Sequence, residues 1–262
     1  MLKSHIVKDY EKGLFFLFCP FILIRSMNQP KWNNGAAWLA FAIAFIVYAL
    51  TAQRSVMFWD SGEFLASIYK LEPTHPPGSP LYTTLGRLFI MFFPPEYVAY
   101  GGALFSALCG AGTVWFLYHV IVWCGRKAFR KLGYKEGSFN MVLILAGLVG
   151  ALGYAFCDSF WISSTEAEVY TLSTIFMGVA FWSITKWEEH YGETGNNRWI
   201  VLICFVLGLS IGVHILNMAI LFPVALVITI RTWGFKLKSI LVGFGAALVF
   251  FLFTNSLLVQ GL

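Results

Sequence analysis

Long apolar runs alternate with short polar stretches along the whole chain. A helix that crosses a bilayer needs about 20 mostly apolar residues. Residues 35–52, 98–124, 140–158, 167–187 and 239–258 reach or approach that length. A further run, 199–230, would rise about 48 Å as one helix, too long to stand upright across about 30 Å of hydrocarbon. Gly212, His214 and Asn217 lie near its centre. The pattern therefore predicts two short helices meeting at a polar break around 211–217, with one strongly tilted helix as the rival. The first apolar stretch, 14–24, is short, follows Lys3, Lys8 and Lys12, and contains Pro20. It reads as an interfacial helix rather than a span or a cleavable signal.

Loop charges orient these elements. With the N-terminus in the cytoplasm, the basic residues gather on the inner side, and only Arg54, Lys70 and Arg87 of the 18 lysines and arginines fall outside. Such asymmetry sets membrane orientation. It also decides the short apolar piece 80–93, because counting that piece as a span would put the basic loop 125–137 outside. Residues 53–97 are thus expected to form one long external loop, lying on or re-entering the membrane surface.

Composition agrees. The 262 residues are 58% hydrophobic and 12% charged, against about 45–50% and about 25% in soluble domains. A soluble enzyme, a disordered chain and a nucleic-acid-binding module are excluded. The net charge of +5 reports topology, not a nucleic-acid partner. The five cysteines show no CxxC spacing and read as small buried hydrophobes. The expected fold is all-α, a polytopic transmembrane helical bundle. It comprises an N-terminal cytoplasmic or interfacial segment (1–34) and a membrane domain (35–262) expected to be incomplete at its C-terminus.

The costly polar residues fall on one face of this topology. Asp60, Glu63, His75, Glu166, Glu168 and His214 come from distant segments, yet all map to external loops or external helix ends. Ionisable groups at membrane depth are expensive and mark functional sites. Asp60 and Glu63, in FWDSGEF, share a face if the segment is helical. They suit a general base and an orienting acid, while Asp60 could instead cap a helix. His75, in PTHPPGSP, sits in a stiff turn that could hold it near a phosphate or merely touch headgroups. Arg87, and with a weaker case Arg54, could bind a lipid phosphate or snorkel. Glu166 and Glu168 do not share a helix face, so one can point into the site and the other to the loop, with capping of the following helix as the alternative. His214 coincides with the predicted break. Asp60, Glu63 and His75 could also ligate a divalent metal, although their spacing matches no metal motif. Trp59 and Trp161 flank the acids and could stack on a sugar, or simply belong to an interfacial belt.

FWDSGEF, THPPGSPLY, FWISSTEAEVYTL and GLSIGVHILNM occur in the same order in the family catalogued as domain of unknown function 2723, which the chain resembles over roughly 35–258. That family belongs to the GT-C class of multi-span glycosyltransferases, and its animal members are protein O-mannosyltransferases. The resemblance implies a GT-C-like bundle whose partners are a polyprenyl-phosphate-linked sugar (mannose expected), an acceptor protein and membrane lipids. It also implies an essential acid in the first external loop, the place Asp60 holds. Inverting transfer would use Asp60 as base and Arg87, His75 or His214 to neutralise the departing phosphate, with a divalent metal possible but no cofactor obligatory. A bacterial inner membrane, with the site on its extracytoplasmic face, is expected on the resemblance alone. Family members are usually longer. A transporter or lipid flippase and a non-catalytic scaffold subunit are the rival readings.

Overall fold

A computed structural model describes residues 31–259, apart from 57, 58, 136 and 138. The helix expected over 14–24 lies outside the described residues. The chain divides into two compact units, Met1–Gly35 and Ala36–Leu262, and the second carries everything that follows.

Every regular element among the described residues is helical. The helices are α1 (Lys31–Thr51), α2 (Ser61–Lys70), α3 (Pro80–Ile90), α4 (Val98–Lys131), α5 (Asn140–Ala155), α6 (Asp158–Thr165), α7 (Val169–Glu189), α8 (Asn197–Ile211), α9 (Leu221–Trp233) and α10 (Leu237–Val259). Single 3-10 turns occupy Pro95–Tyr97 and Ile215–Ile220. The predicted polytopic bundle is what forms. Among the described residues, four stretches are long and apolar enough to cross a membrane: Trp32–Thr51, Pro95–Lys131, Ile215–Trp233 and Leu237–Ser256.

Two expected spans take a different form. The run 140–158 stops at Ala155 and turns by 67° into α6, so it is a bent pair rather than one helix. α7 is long enough but is not among the strongly apolar helices. Its buried face carries Thr171, Ser173, Ser183 and Thr185. It packs between α4 and α8, and small or hydroxylated residues suit a helix that faces other helices instead of lipid. The run 199–230 does break into two. α8 ends at Ile211, and His214 is fully extended before the 3-10 turn. Asn217 holds that break: it accepts a hydrogen bond from the Ser173 hydroxyl of α7 and donates to the Ser210 carbonyl of α8 at 3.3 Å.

α4 is the central element, packing against α2, α3, α5, α6 and α7. It runs parallel to α7: Ser106 meets Glu168 near one end of the pair, and Lys127 pairs with Glu188 near the other. Arg231, at the end of α9, reaches the same Glu188 at 3.5 Å. The helix ends therefore sort into two groups, one around Ser106 and Glu168 and one around Glu188.

The long loop between α1 and α4 folds onto the first of these ends. In α2 the buried residues Ser61, Phe64, Leu65 and Ile68 recur at i, i+3, i+4 and i+7, a stripe that must be covered. Phe64, Leu65 and Ile68 join Tyr82 and Ile90 of α3, Phe105 and Cys109 of α4, Ala167, Val169 and Leu172 around the start of α7, and Val213 of the break in one core. α3 begins against the break, where the Leu81 amide donates to the Gly212 carbonyl at 2.8 Å. Gly102 of α4 lets this layer close: a Cβ there would stand 2.8 Å from Leu65 Cδ2 and 3.1 Å from Ala167 Cβ.

Gly102→Val should overpack this contact, at a cost of about 1–3 kcal/mol, and lower the unfolding temperature of the detergent-solubilised protein. Gly153→Val is the control, because a Cβ at Gly153 meets nothing within 4 Å. Equal unfolding temperatures for both variants would show that Gly102 is not a close contact.

Candidate active site

The amphipathic α2 presents its first turn to the open side of the loop. Asp60 precedes the helix, with its carbonyl accepting from the Phe64 amide at 2.9 Å. Its side chain makes no capping hydrogen bond, so helix capping does not explain the residue. Among the described residues no hydrogen bond or ion pair holds the Asp60 carboxylate.

Glu63 lies one turn on, on the exposed face, and is firmly held. The His75 backbone amide donates to Glu63 Oε1 at 2.5 Å, and His75 Nδ1 lies 3.1 Å from Oε2. The turn that allows this closes through the Gly78 amide on the His75 carbonyl at 2.8 Å, and Gly78 takes a positive φ of 85°, which glycine adopts without strain. Thr74 and Ser79 hydroxyls, 3.0 Å apart, close its base. The His75 amide and then its ring hold the Glu63 carboxyl below its ordinary pKa, and the Glu63 hydrogen bond raises His75 above its own. With Nδ1 committed to Glu63, Nε2 is the nitrogen left for a ligand. Ligand atoms of Asp60, Glu63 and His75 all lie within 4.8 Å of one another. These three exposed side chains could hold a divalent cation or receive a phosphate.

Glu168 is the buried counterpart. It sits with Glu166 in an extended connection before α7, outside the helix, and forms no side-chain cap. Ser106 pins its backbone twice: the Ser106 hydroxyl donates to the Glu168 carbonyl, and the Glu168 amide donates to Ser106 Oγ, both at 3.3 Å. Its side chain is buried, and Oε2 has no hydrogen-bond partner among the described residues. Burial, then the charges of Asp60 and Glu166, push the Glu168 carboxyl up to about 7; the Val169 amide and His75 offset this in part. Glu166 is half-buried, and burial raises its pKa too.

His214 completes the cluster from the break. Its Nδ1 accepts from the Leu216 amide at 3.3 Å, and its ring lies 5.7 Å from that of Tyr170. Burial, then His75, lower its pKa. Residues from 60, 75, 168 and 214 thus share one electrostatic neighbourhood.

The two arginines expected in the external loop have partners of their own. Arg87 Nη1 donates to the Tyr69 carbonyl at 2.7 Å and its guanidinium lies over the Tyr69 ring. Arg54 lies over Tyr100. Trp161 packs against Tyr48 and Phe156, whereas Trp59, beside Asp60, is 94% exposed with φ at +64°. That backbone conformation is unusual for a bulky residue. Tyr82, Ser106 and Thr171 were not singled out from the sequence, yet all three surround Glu168 or share its buried setting. Tyr82 ends the THPPGSPLY motif and Thr171 lies in FWISSTEAEVYTL, so the available signal was motif membership. Ser106 carries no such mark.

A carboxyl whose pKa is raised on folding contributes most stability below its unfolded pKa. For Glu168 that contribution falls as pH rises from about 4.5 toward about 7 and then levels. The whole span is on the order of 3 kcal/mol at most. Glu168→Gln removes the fall, so its unfolding temperature relative to wild type should be more favourable at pH 8 than at pH 5. A difference that does not change with pH would show that the Glu168 carboxyl is not held neutral.

Comparison with known proteins now places the chain. A family described as "Protein O-mannosyl-transferase TMEM260 N-terminal domain" matches residues 60–237. Protein O-mannosyl-transferase TMEM260 of Mus musculus is 31% identical over 183 residues, covering 69% of this chain and 24% of the mouse protein. The Dictyostelium discoideum protein O-mannosyl-transferase tmem260 is 26% identical over 144 residues, 54% of this chain and 16% of that protein. The chain thus spans about a quarter or less of the length of these relatives. No solved structure matches it. The matched segment opens at Asp60 itself and runs through His75, Glu168 and His214, and the chain belongs to the TMEM260 N-terminal domain family.

Proposed function

We propose that this chain carries the active centre of a GT-C-type membrane glycosyltransferase. It moves a sugar, mannose on the family resemblance, from a polyprenyl-phosphate donor to a Ser or Thr hydroxyl of an exported protein. The observation that carries the reading is the pairing of a partner-free Asp60 carboxylate with a Glu63–His75 pair less than 5 Å away, in a family whose relatives are named protein O-mannosyl-transferases.

Each group has a role its surroundings suit. Asp60 removes the proton from the acceptor hydroxyl. The oxygen attacks the anomeric carbon, the bond from that carbon to the phosphate oxygen breaks, and the lipid phosphate leaves with the electron pair. The configuration at that carbon inverts. His75, held toward its protonated form by Glu63, offers a positive charge to the departing phosphate, an electrostatic contribution aimed at the transition state. Glu63 then acts by positioning His75 rather than as a second base. His214 approaches the same region from the break. Arg87 and Arg54, occupied by Tyr69 and Tyr100, are left with lipid headgroups as their natural contacts.

Asp60, Glu63 and His75 are the residues that would hold a divalent cation, which would supply positive charge to the phosphate; lipid phosphate is already a good leaving group, and the step does not require it. The loop-charge asymmetry supports an extracytoplasmic site. The bacterial inner membrane remains the expected location on the resemblance.

The test is transfer from a polyprenyl-phosphate mannose to a Ser/Thr-containing protein acceptor, with the chain in nanodiscs. Asp60→Asn should lower the rate by about 10²–10⁴-fold, the usual worth of a positioned base, with donor binding retained. A transporter or a scaffold subunit would show no transfer in the wild type. Equal rates in both proteins would remove Asp60 as the base.

A further inference from the structure

Around Glu168 the structure leaves buried polar atoms with nothing to bind. Glu168 Oε2, Tyr82 Oη and Thr171 Oγ1 have no hydrogen-bond partner among the described residues. Buried polar groups rarely stay unpaired, because the lost contact with water goes uncompensated. The contrast with Tyr48 is direct: its equally buried hydroxyl donates to the Ala155 carbonyl at 2.7 Å.

The three groups are held in place. The Tyr82 ring is fully buried, edge-on to Phe64 with ring centres 5.4 Å apart and tilted against Phe105 at 6.0 Å. Its hydroxyl cannot swing to a new partner without disturbing the core. Glu168 is fixed through its backbone by Ser106, and Thr171, three residues on in sequence, is fully buried within the first turn of α7. The Glu168 charge bears on both Tyr82 and His75. Glu168 keeps 8% of its surface exposed while Tyr82 is fully buried, so Glu168 is the outer member of the pair.

The chemistry of the set narrows the ligand. A phenol, a secondary hydroxyl and a buried carboxyl offer donors and acceptors without a fixed positive charge. The three groups themselves include no cation for an anion such as phosphate and only one carboxyl for a metal ion; the neighbouring charges, Asp60, Glu166 and His75, lie outside the set. What the set matches is a neutral molecule carrying several hydroxyls.

We propose that Glu168, Tyr82 and Thr171 form a buried subsite that hydrogen-bonds ring hydroxyls of the transferred sugar and so selects which sugar the centre accepts. This rests on the sugar-transfer reading above. The subsite lies beside the reacting groups Asp60 and His75, and it leaves proton removal and phosphate contact to them. A site built to bond a hydroxyl strongly rejects an analogue that lacks it, because its own groups are then left unpaired.

The test separates this inference from the reading beneath it. Binding of two short-chain lipids to the chain in nanodiscs is measured by titration: polyprenyl-phosphate mannose and bare polyprenyl phosphate. Wild type should bind the sugar-bearing lipid more tightly. Tyr82→Phe and Glu168→Ala should each lose roughly tenfold of that preference, about one hydrogen bond, while affinity for the bare lipid is unchanged. Glu168→Gln, which keeps a donor and an acceptor, should retain most of the preference; if Glu168→Ala fails to fold, Tyr82→Phe, which removes one hydroxyl and keeps the ring, decides the test. If wild type prefers the mannosyl lipid and Tyr82→Phe, Thr171→Val and Glu168→Ala all preserve that preference, the buried atoms serve an internal water only and the subsite is overturned; equal wild-type affinity for the two lipids overturns it as well. If wild type binds neither lipid, the sugar-transfer reading fails and takes the subsite with it.

Discussion

The contact of the α2 apolar stripe with α4 carries the rest of the arrangement. Phe64, Leu65 and Ile68 are buried in the same core as Phe105, Ala167 and Val213, and Gly102 admits them by offering no side chain. Burying a side chain of that size is worth roughly 1.5–3 kcal/mol. That is enough to hold a ten-residue helix that would be marginal alone. With α2 seated, Asp60 and Glu63 are aimed away from the core, and His75 is drawn in by two hydrogen bonds. The same core fixes Ala167 and Val169, and hence Glu168 between them.

Two kinds of carboxyl result from one packing event. Glu63 sits in water against a histidine, and its charged form is favoured. Glu168 sits under protein, close to Asp60 and Glu166, and its neutral form is favoured. Neighbouring acids whose environments push their pKa values apart can take different roles in one reaction. On the function proposed above, the exposed Asp60, Glu63 and His75 take the charged chemistry with a hydroxyl proton and a phosphate. The buried Glu168, Tyr82 and Thr171 suit recognition of neutral hydroxyls.

Much of the bundle was legible in advance because the bilayer leaves few options. Long apolar runs must be helices there, and the break at 211–217 followed from a run too long to stand upright with polar residues at its middle. The bend at Ala155 was not legible, since 140–158 is apolar enough to read as one helix and only its packing against α4 and α6 shows the turn. α7 was legible as a helix, but its reduced apolarity makes sense only once α4 and α8 are seen to enclose it. Among the candidate site residues, Asp60, Glu63 and His75 were readable as ionisable groups on one loop. That Glu63 serves His75, and that Arg87 is taken up by Tyr69, were not.

Sequence alone determined the helical class, the break and the set of ionisable residues gathered at one group of helix ends. Hydropathy and charge act through the solvent and depend little on which helix lies beside which. Tertiary structure alone decided which of those residues stand free, which are paired and which are buried. Hydrogen bonds and desolvation act over a few ångströms between segments as far apart as 106 and 168 or 81 and 212, and no local pattern along the chain encodes those meetings.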